Sequence, residues 1–147
     1  MLHMSRKNIQ LKIMVFGTFD GLHPGHLHFF KQAKKLAPKS FLIISIARDK
    51  NVFRIKGRYP SLKERQRALL VQKIKFVDKV VLSGIKNHIP HIAREHPDVI
   101  ALGYDQKKYV KNLKKDLKNK GILVKIVRLK SYKEKIYKNR LLNKKVN

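Results

Sequence analysis

Gly17-Thr18-Phe19-Asp20-Gly21-Leu22-His23-Pro24-Gly25-His26 is the stretch on which the reading of this chain turns. The apolar run Ile13-Met14-Val15-Phe16 leads straight into it, and Leu27, Phe30, Ala33, Leu36 and Ala37 follow at helical spacing. The segment therefore reads as the turn after a buried first strand, running into the first helix. Its glycines let the backbone turn tightly and approach a ligand closely. A helix N-terminus offers free N–H groups to anions. His23 and His26 project from that same end, and imidazoles donate hydrogen bonds to phosphate oxygens. The physical reading is a polyphosphate cradle with two histidine donors.

Outward from this stretch, residues 1–8 read as a flexible polar segment and 9–147 as one domain. Strands are expected over 11–16, 41–47, 77–82, 99–102 and 122–127. Phe41-Leu42-Ile43-Ile44-Ser45-Ile46-Ala47 is unbroken in apolar character, as in a strand covered on both faces. Helices are expected over 25–36, from Pro60-Ser61, over 87–95 and from Asp105 or Gln106 to Lys120. Ser61 and Glu64 suggest a capping box, and Arg48 to Tyr59 reads as a polar, basic loop. The tail after Ser131 is polar and basic, with a last short helix. This alternation argues an α/β fold, a doubly wound five-stranded parallel sheet with helices on both faces. Ligands of such sheets sit beyond the carboxyl ends of the strands, at the topological switch point. The opening motif, Asp49, Gly103-Tyr104-Asp105-Gln106 and Arg128 each follow a strand and would face one crevice.

The 147 residues suffice for one core. The chain lacks cysteine, which excludes disulfides, thiolate metal sites and cysteine nucleophiles. No apolar run is long enough for a membrane helix, and Met1 to Gln10 lacks the features of a secretory signal. A cytoplasmic protein is expected. Charge is lopsided: 36 Lys+Arg against 9 Asp+Glu, a net +27. The lysines are spread along the chain and outnumber arginine, the residue of base readout. A solvated basic surface that attracts anionic substrates is the better reading, and no specific nucleic acid or membrane partner is expected. His88, His91 and His96 fit no metal-ligand spacing and read as surface histidines; no metal ligand is assigned.

Gly17-Thr18-Phe19-Asp20 followed by His23-Pro24-Gly25-His26 resembles the first signature of the cytidylyltransferase-like nucleotidyltransferases. Further echoes run through Ala47-Arg48-Asp49, Lys56-Gly57-Arg58, Glu64 to Arg67, Val77-Asp78-Lys79, Gly103 to Gln106 and Ile126-Val127-Arg128. The set is most similar to archaeal FAD synthases. The resemblance implies a Rossmann-like nucleotidyltransferase of the HxGH type that transfers AMP from ATP to FMN, giving FAD and pyrophosphate. The acceptor phosphate would attack the α-phosphorus in line, with no covalent enzyme intermediate. By the same resemblance His23 and His26 are the catalytic residues. Thr18, Phe19, Pro24, Gly25, Asp105, Arg128 and Tyr132 join them in holding the nucleotide. Asp20, Lys56 and Arg67 serve the acceptor or phosphates, and Mg²⁺ bridges phosphate oxygens. A homodimer is a further expectation of the resemblance.

Each assignment has a plainer alternative. The two histidines could simply cap a helix, Lys56 could be a solvated loop charge, and Arg67 could pair with Glu64 or Asp78. Asp105 could cap its helix, and Tyr132 could pack the tail. The family's C-terminal signature carries serines or threonines where this chain reads Tyr137-Lys138-Asn139-Arg140-Leu141. Two rival functions stand beside the flavin one. One is CTP-dependent transfer to glycerol 3-phosphate or a similar alcohol phosphate. The other is a basic nucleic-acid-binding protein without catalysis.

Overall fold

Side chains alternate across the first strand: Ile13 and Val15 point to one face, Met14 and Phe16 to the other, and all four are buried. A strand buried on both faces needs a neighbour on each edge and a layer above and below. The computed structural model describes residues 9–84, 87–103 and 106–130, with side chains excepted at 107–111. In it β1 (Lys12–Gly17), β2 (Phe41–Ile46), β3 (Lys79–Leu82), β4 (Val99–Leu102) and β5 (Lys125–Arg128) form one parallel sheet in the order β3-β2-β1-β4-β5. The expected fold class holds. The order reverses between β1 and β4, so the crevice opens where the Gly17 to His26 stretch leaves the sheet.

The helices are α1 (Pro24–Lys34), α2 (Asp49–Lys56), α3 (Glu64–Gln72), α4 (His88–Glu95) and α5 (Lys107–Asn119). One core layer packs Phe30 and Ala33 of α1 and Val71 of α3 against Ile13, Val15, Leu42 and Ile44. The other packs Ile89 and Ile92 of α4 and Leu113 and Leu117 of α5 against Met14, Phe16, Ile43 and Ile100. Among the described residues no helix is long and apolar enough to cross a membrane.

Two expectations need correction. Arg48 to Tyr59 is not a loop, because α2 occupies most of it. Asp49 lies in its first turn and Arg54 and Lys56 in its last, both favourable to the helix dipole. Gly57, at φ 74°, ends it in the left-handed conformation. Only Asn51 and Val52 of α2 are buried, so its apolar signal is faint in the sequence. The next helix starts at Glu64 rather than at Ser61, because the N–H groups of Ser61 and Leu62 are held by Asp20. Lys63 takes the cap position, and its N–H donates to Gln66 Oε1 at 3.0 Å.

Candidate active site

The turn after β1 is locked by its own aromatic ring. Phe19 sits at φ 51°, a left-handed conformation costly for a bulky residue. Its buried ring packs edge-on to Phe30 at 4.8 Å and to His26 at 5.3 Å. The same ring closes over Gly17, where a Cβ would lie 2.4 Å from the ring tip. Glycine is thus required by space. Phe19 offers a ligand only its backbone, since its ring is part of the core.

His23 is the N-cap of α1. Its Nδ1 accepts the Gly25 N–H at 3.1 Å, and His26 Nδ1 accepts the His23 N–H at 3.4 Å. The two rings stack with centroids 3.7 Å apart and 24° between planes. A ring whose Nδ1 accepts carries its proton, when neutral, on Nε2. The free N–H array expected at this helix start is not there. Pro24 has no N–H, Gly25 donates to His23, and the N–H groups of His26 and Leu27 donate to the His23 carbonyl. The side-chain donors that the start of α1 can show an anion are therefore ring N–H groups, and the His26 ring also faces the Gly21 carbonyl. Burial pushes the His26 pKa down, as does the adjacent His23 ring, with the Gly21 carbonyl opposing.

Asp20 and Arg67, both expected near phosphate, are occupied elsewhere. The two Asp20 oxygens accept the Ser61 N–H at 2.7 Å and the Leu62 N–H at 2.8 Å. These two bonds, Leu62's first, hold its carboxyl below the usual carboxylate value. Arg67 is fully buried. It donates to the Leu62 carbonyl at 3.0 Å, the Thr18 carbonyl at 2.7 Å and Asp49 Oδ1 at 2.6 Å. Its carboxylate partner is Asp49, not Glu64 or Asp78. Asp49 and Glu64 in turn clasp the starts of α2 and α3. Glu64 Oε1 accepts the Asp49 N–H at 2.9 Å, and Asp49 Oδ2 accepts the Glu64 N–H at 3.2 Å. Arg67 thus ties the histidine turn to two helix starts.

Beside this turn, at the carboxyl ends of β1, β2 and β3, lies an open cavity of about 140 Å³. Phe16, Val52 and Ile55 give it apolar walls, Ser45 and His88 polar ones, and Arg54 and Lys56 line it with positive charge. Lys56 is exposed at the last residue of α2, not on a loop. Gln106 bridges the switch point: its Oε1 accepts the Gly103 N–H at 2.9 Å and its Nε2 donates to the Phe16 carbonyl at 3.2 Å. Arg128 ends β5, exposed and in register with Leu102, on the opposite side of β1 from β2. Asp105 and Tyr132 lie outside the described residues.

His88 and His91 are not surface histidines. His91 is buried and lies 2.8 Å from Ser45 Oγ through Nε2. His88 lines the cavity, half-buried, its ring edge-on to Phe16 at 5.7 Å. Ser45 could have been found in the sequence as the lone polar residue of an apolar strand, since a buried hydroxyl needs a partner. His91 carried the signal of its neighbour Ile92 on the inward face of α4. Among the described residues no group of three or more His, Cys, Asp or Glu side chains could hold a metal ion.

Comparison with known proteins accords with this arrangement. The cytidylyltransferase-like family model matches residues 14–141. The FAD synthase of Korarchaeum cryptofilum is 44% identical over 130 residues, covering 88% of this chain and 84% of the relative. That of Aciduliprofundum boonei is 39% identical over 122 residues, covering 83% and 80%. A crystal structure described as a lipopolysaccharide core biosynthesis protein from Thermoplasma volcanium superposes with a TM-score of 0.77 at 36% identity, over 84% of this chain and 99% of that one. With its family model spanning the sheet, both histidines and the switch point, this chain belongs to the cytidylyltransferase-like family.

Proposed function

We infer that this protein is an FMN adenylyltransferase, transferring AMP from ATP to FMN to give FAD and pyrophosphate. The FAD synthase relatives, similar over most of their own length, support the substrates. The observation that carries the chemistry is the pair of stacked rings at the end of β1, each held through Nδ1. In the reaction an FMN phosphate oxygen forms a bond to the α-phosphorus of ATP as the bond to the bridging α–β oxygen breaks, and pyrophosphate leaves. The His23 and His26 Nε2–H groups donate to the phosphate oxygens on which charge builds. Pre-oriented donors of this kind act without reorganisation at the moment of reaction. Lys56 supplies countercharge from the cavity rim to the acceptor phosphate. Arg128, on the β4–β5 side, serves the nucleotide, a role that Asp105 and Tyr132 share by family resemblance. Thr18, Pro24 and Gly25 form the backbone of the turn on which the triphosphate lies. Arg67 and Asp20 act through this turn and the segment before α3, as positioning residues.

A divalent cation, expected from the family, would neutralise phosphate charge. The described residues do not fit a cation held by protein side chains, because Asp20 already accepts two backbone N–H groups. Any Mg²⁺ would ride on phosphate oxygens and water, and no step above depends on it.

Pyrophosphate release tests the assignment. Release with ATP plus FMN is expected, with FAD appearing in equal amount. Release with CTP plus glycerol 3-phosphate, and none with ATP plus FMN, would transfer the protein to the alcohol-phosphate class.

A further inference from the structure

Gln106 stands at the N-cap of α5, but its side chain makes no cap bond there. An N-cap side chain ordinarily accepts an N–H of its own helix. This one reaches to the sheet instead. Its backbone N–H donates to the Gly103 carbonyl at 3.1 Å, and its Oε1 accepts the Gly103 N–H at 2.9 Å. The residue that follows β4 is thus bound to Gln106 through both its donor and its acceptor. From there Nε2 donates to the Phe16 carbonyl of β1 at 3.2 Å. The carboxamide can sit only this way round, because an N–H needs an acceptor and a carbonyl needs a donor.

Those two strand groups are related by the ladder. β1 and β4 are paired from Ile13 and Val99 to Val15 and Ala101. In a parallel ladder a carbonyl accepts from the residue one beyond its opposite. One step further, Leu102 would stand opposite Phe16, and the Gly103 N–H would be the donor to the Phe16 carbonyl. Gln106 is inserted into that rung, bonded to both of its ends. The outer pairings run on past this point. β1 stays with β2 to Gly17, whose carbonyl accepts the Ala47 N–H at 2.9 Å, and β4 stays with β5 to Leu102. The β1–β4 seam parts earlier, at the switch point. Next along the chain, the Thr18 carbonyl accepts from Arg67 at 2.7 Å. The carbonyls of Phe16, Gly17 and Thr18 are therefore fixed in turn by the start of α5, the end of β2 and α3, just before the histidines.

We propose that Gln106 is a positioning residue for nucleotidyl transfer: its carboxamide, standing in the rung that β1 and β4 leave open, holds the mouth of the crevice at one width and so sets the histidine turn against the β4–β5 side. The proposal rests on the nucleotidyltransferase reading above and not on which acceptor is used. In that reading a triphosphate on the turn, with its nucleoside toward β4 and β5, crosses this seam. Strands that closed by one rung would draw Phe16 and Gly17 toward β4 and carry the histidine turn with them. A misplacement of about 1 Å between reacting groups can cost about 10²-fold in rate. Filling the rung takes a donor and an acceptor on one side chain. An ionised carboxylate has acceptors only and would set a negative oxygen against the Phe16 carbonyl.

The test measures melting temperature, and kcat and KM for each substrate by pyrophosphate release, in Gln106→Ala and Gln106→Glu. In the alanine protein the Gly103 N–H and the Phe16 carbonyl can bond each other directly, so it should melt within a few degrees of wild type. Its kcat should nevertheless fall about 10- to 100-fold, with each KM moving less than about threefold. Glutamate keeps the shape and, when protonated, regains the missing donor. The ratio of its kcat to that of wild type should therefore rise about fivefold or more as pH is lowered from about 8 to about 6. Taking the ratio at each pH removes the titration of the histidines. A merely structural residue would move stability and turnover together and give no such recovery. Wild-type kcat in both variants overturns the proposal and leaves the function standing. A raised KM for ATP with kcat kept overturns it too, since Gln106 would then be a nucleotide contact. An alanine protein that fails to fold, with a flat ratio for the glutamate protein, makes the clip a folding device and overturns it as well. A wild type that releases pyrophosphate with neither ATP plus FMN nor CTP plus glycerol 3-phosphate removes the function and the proposal together.

Discussion

Nδ1 of His23 closes the first turn of α1 and its ring is exposed, so under the proposed mechanism an alanine at this position loses a cap as well as a donor. His23→Asn separates the two, because asparagine is itself a good N-cap. We expect the asparagine protein to melt within a few degrees of wild type while its turnover falls about 10²- to 10³-fold, the usual cost of one lost oxyanion donor. Thermal melts beside pyrophosphate release check this. A variant that keeps full turnover would assign His23 to capping alone. Protonation also matters at this scale. Burial is the first cause that lowers the pKa of His26, His88 and His91 from the ordinary value of 6.5. Arg54 adds to it at His88, whereas at His91 Glu95 opposes it and His88, Arg94 and Arg48 add to it. The folded chain therefore binds fewer protons than the unfolded one below that value. Their contribution is full above pH 6.5 and is lost as pH falls through the lowered values. The melting temperature should drop on acidification from about pH 7 to about pH 5, and a flat profile would contradict the assignment.

At the scale of elements, Arg67 is the junction between the histidine turn and the starts of α2 and α3. Arg67→Met fills much of the volume but leaves the Thr18 and Leu62 carbonyls and Asp49 without their donor. Breaking a buried pair in this way costs about 3–5 kcal/mol. Denaturant unfolding should show that loss, and turnover should fall with it because Thr18 is no longer held. These relations also show what a sequence reveals. Strands β1, β2 and β4 were legible because they are buried on both faces and read as continuous apolar runs. The histidine pair of the turn was legible because one short stretch contains the strand end, the glycines and the helix start. Helix α2 was not, because its exposed residues outnumber its buried ones and their charges look like a loop. Arg67 and Asp49 lie 18 positions apart, and Ser45 and His91 lie 46 apart, so only the sheet order brings them together. Arg67 read as a phosphate-binding cation or a partner of Glu64 or Asp78, because its burial and its pairing with Asp49 depend on where α3 docks.

For the molecule as a whole, the net charge of +27 acts at longer range. The described acidic groups are largely used in internal pairs, such as Lys34–Asp78 at 2.6 Å and Lys79–Glu95 at 2.7 Å. A field of this sign concentrates anionic substrates, and salt screens it over about 8–10 Å at physiological ionic strength. We expect kcat/KM for ATP and FMN to fall as potassium chloride is raised, with kcat changing far less. A polyanion such as heparin should inhibit competitively at low salt and lose that effect at high salt. Inhibition that persists at high salt would revive the nucleic-acid reading.

Phe19 and Gly17 share one volume, and that makes their substitutions interdependent. Gly17→Ala alone must displace a ring held between Phe30 and His26, and should cost about 1–3 kcal/mol and most of the activity. Phe19→Leu alone leaves a hole beside the same residues. Together the added methyl occupies part of the space that the smaller side chain vacates, so the double variant should be more stable than the sum of the single changes implies, a coupling that a double-mutant cycle reads directly. The two positions cannot drift independently. A lineage leaving glycine at 17 must first, or at once, give up the aromatic ring at 19, and with it the edge-on support of His26.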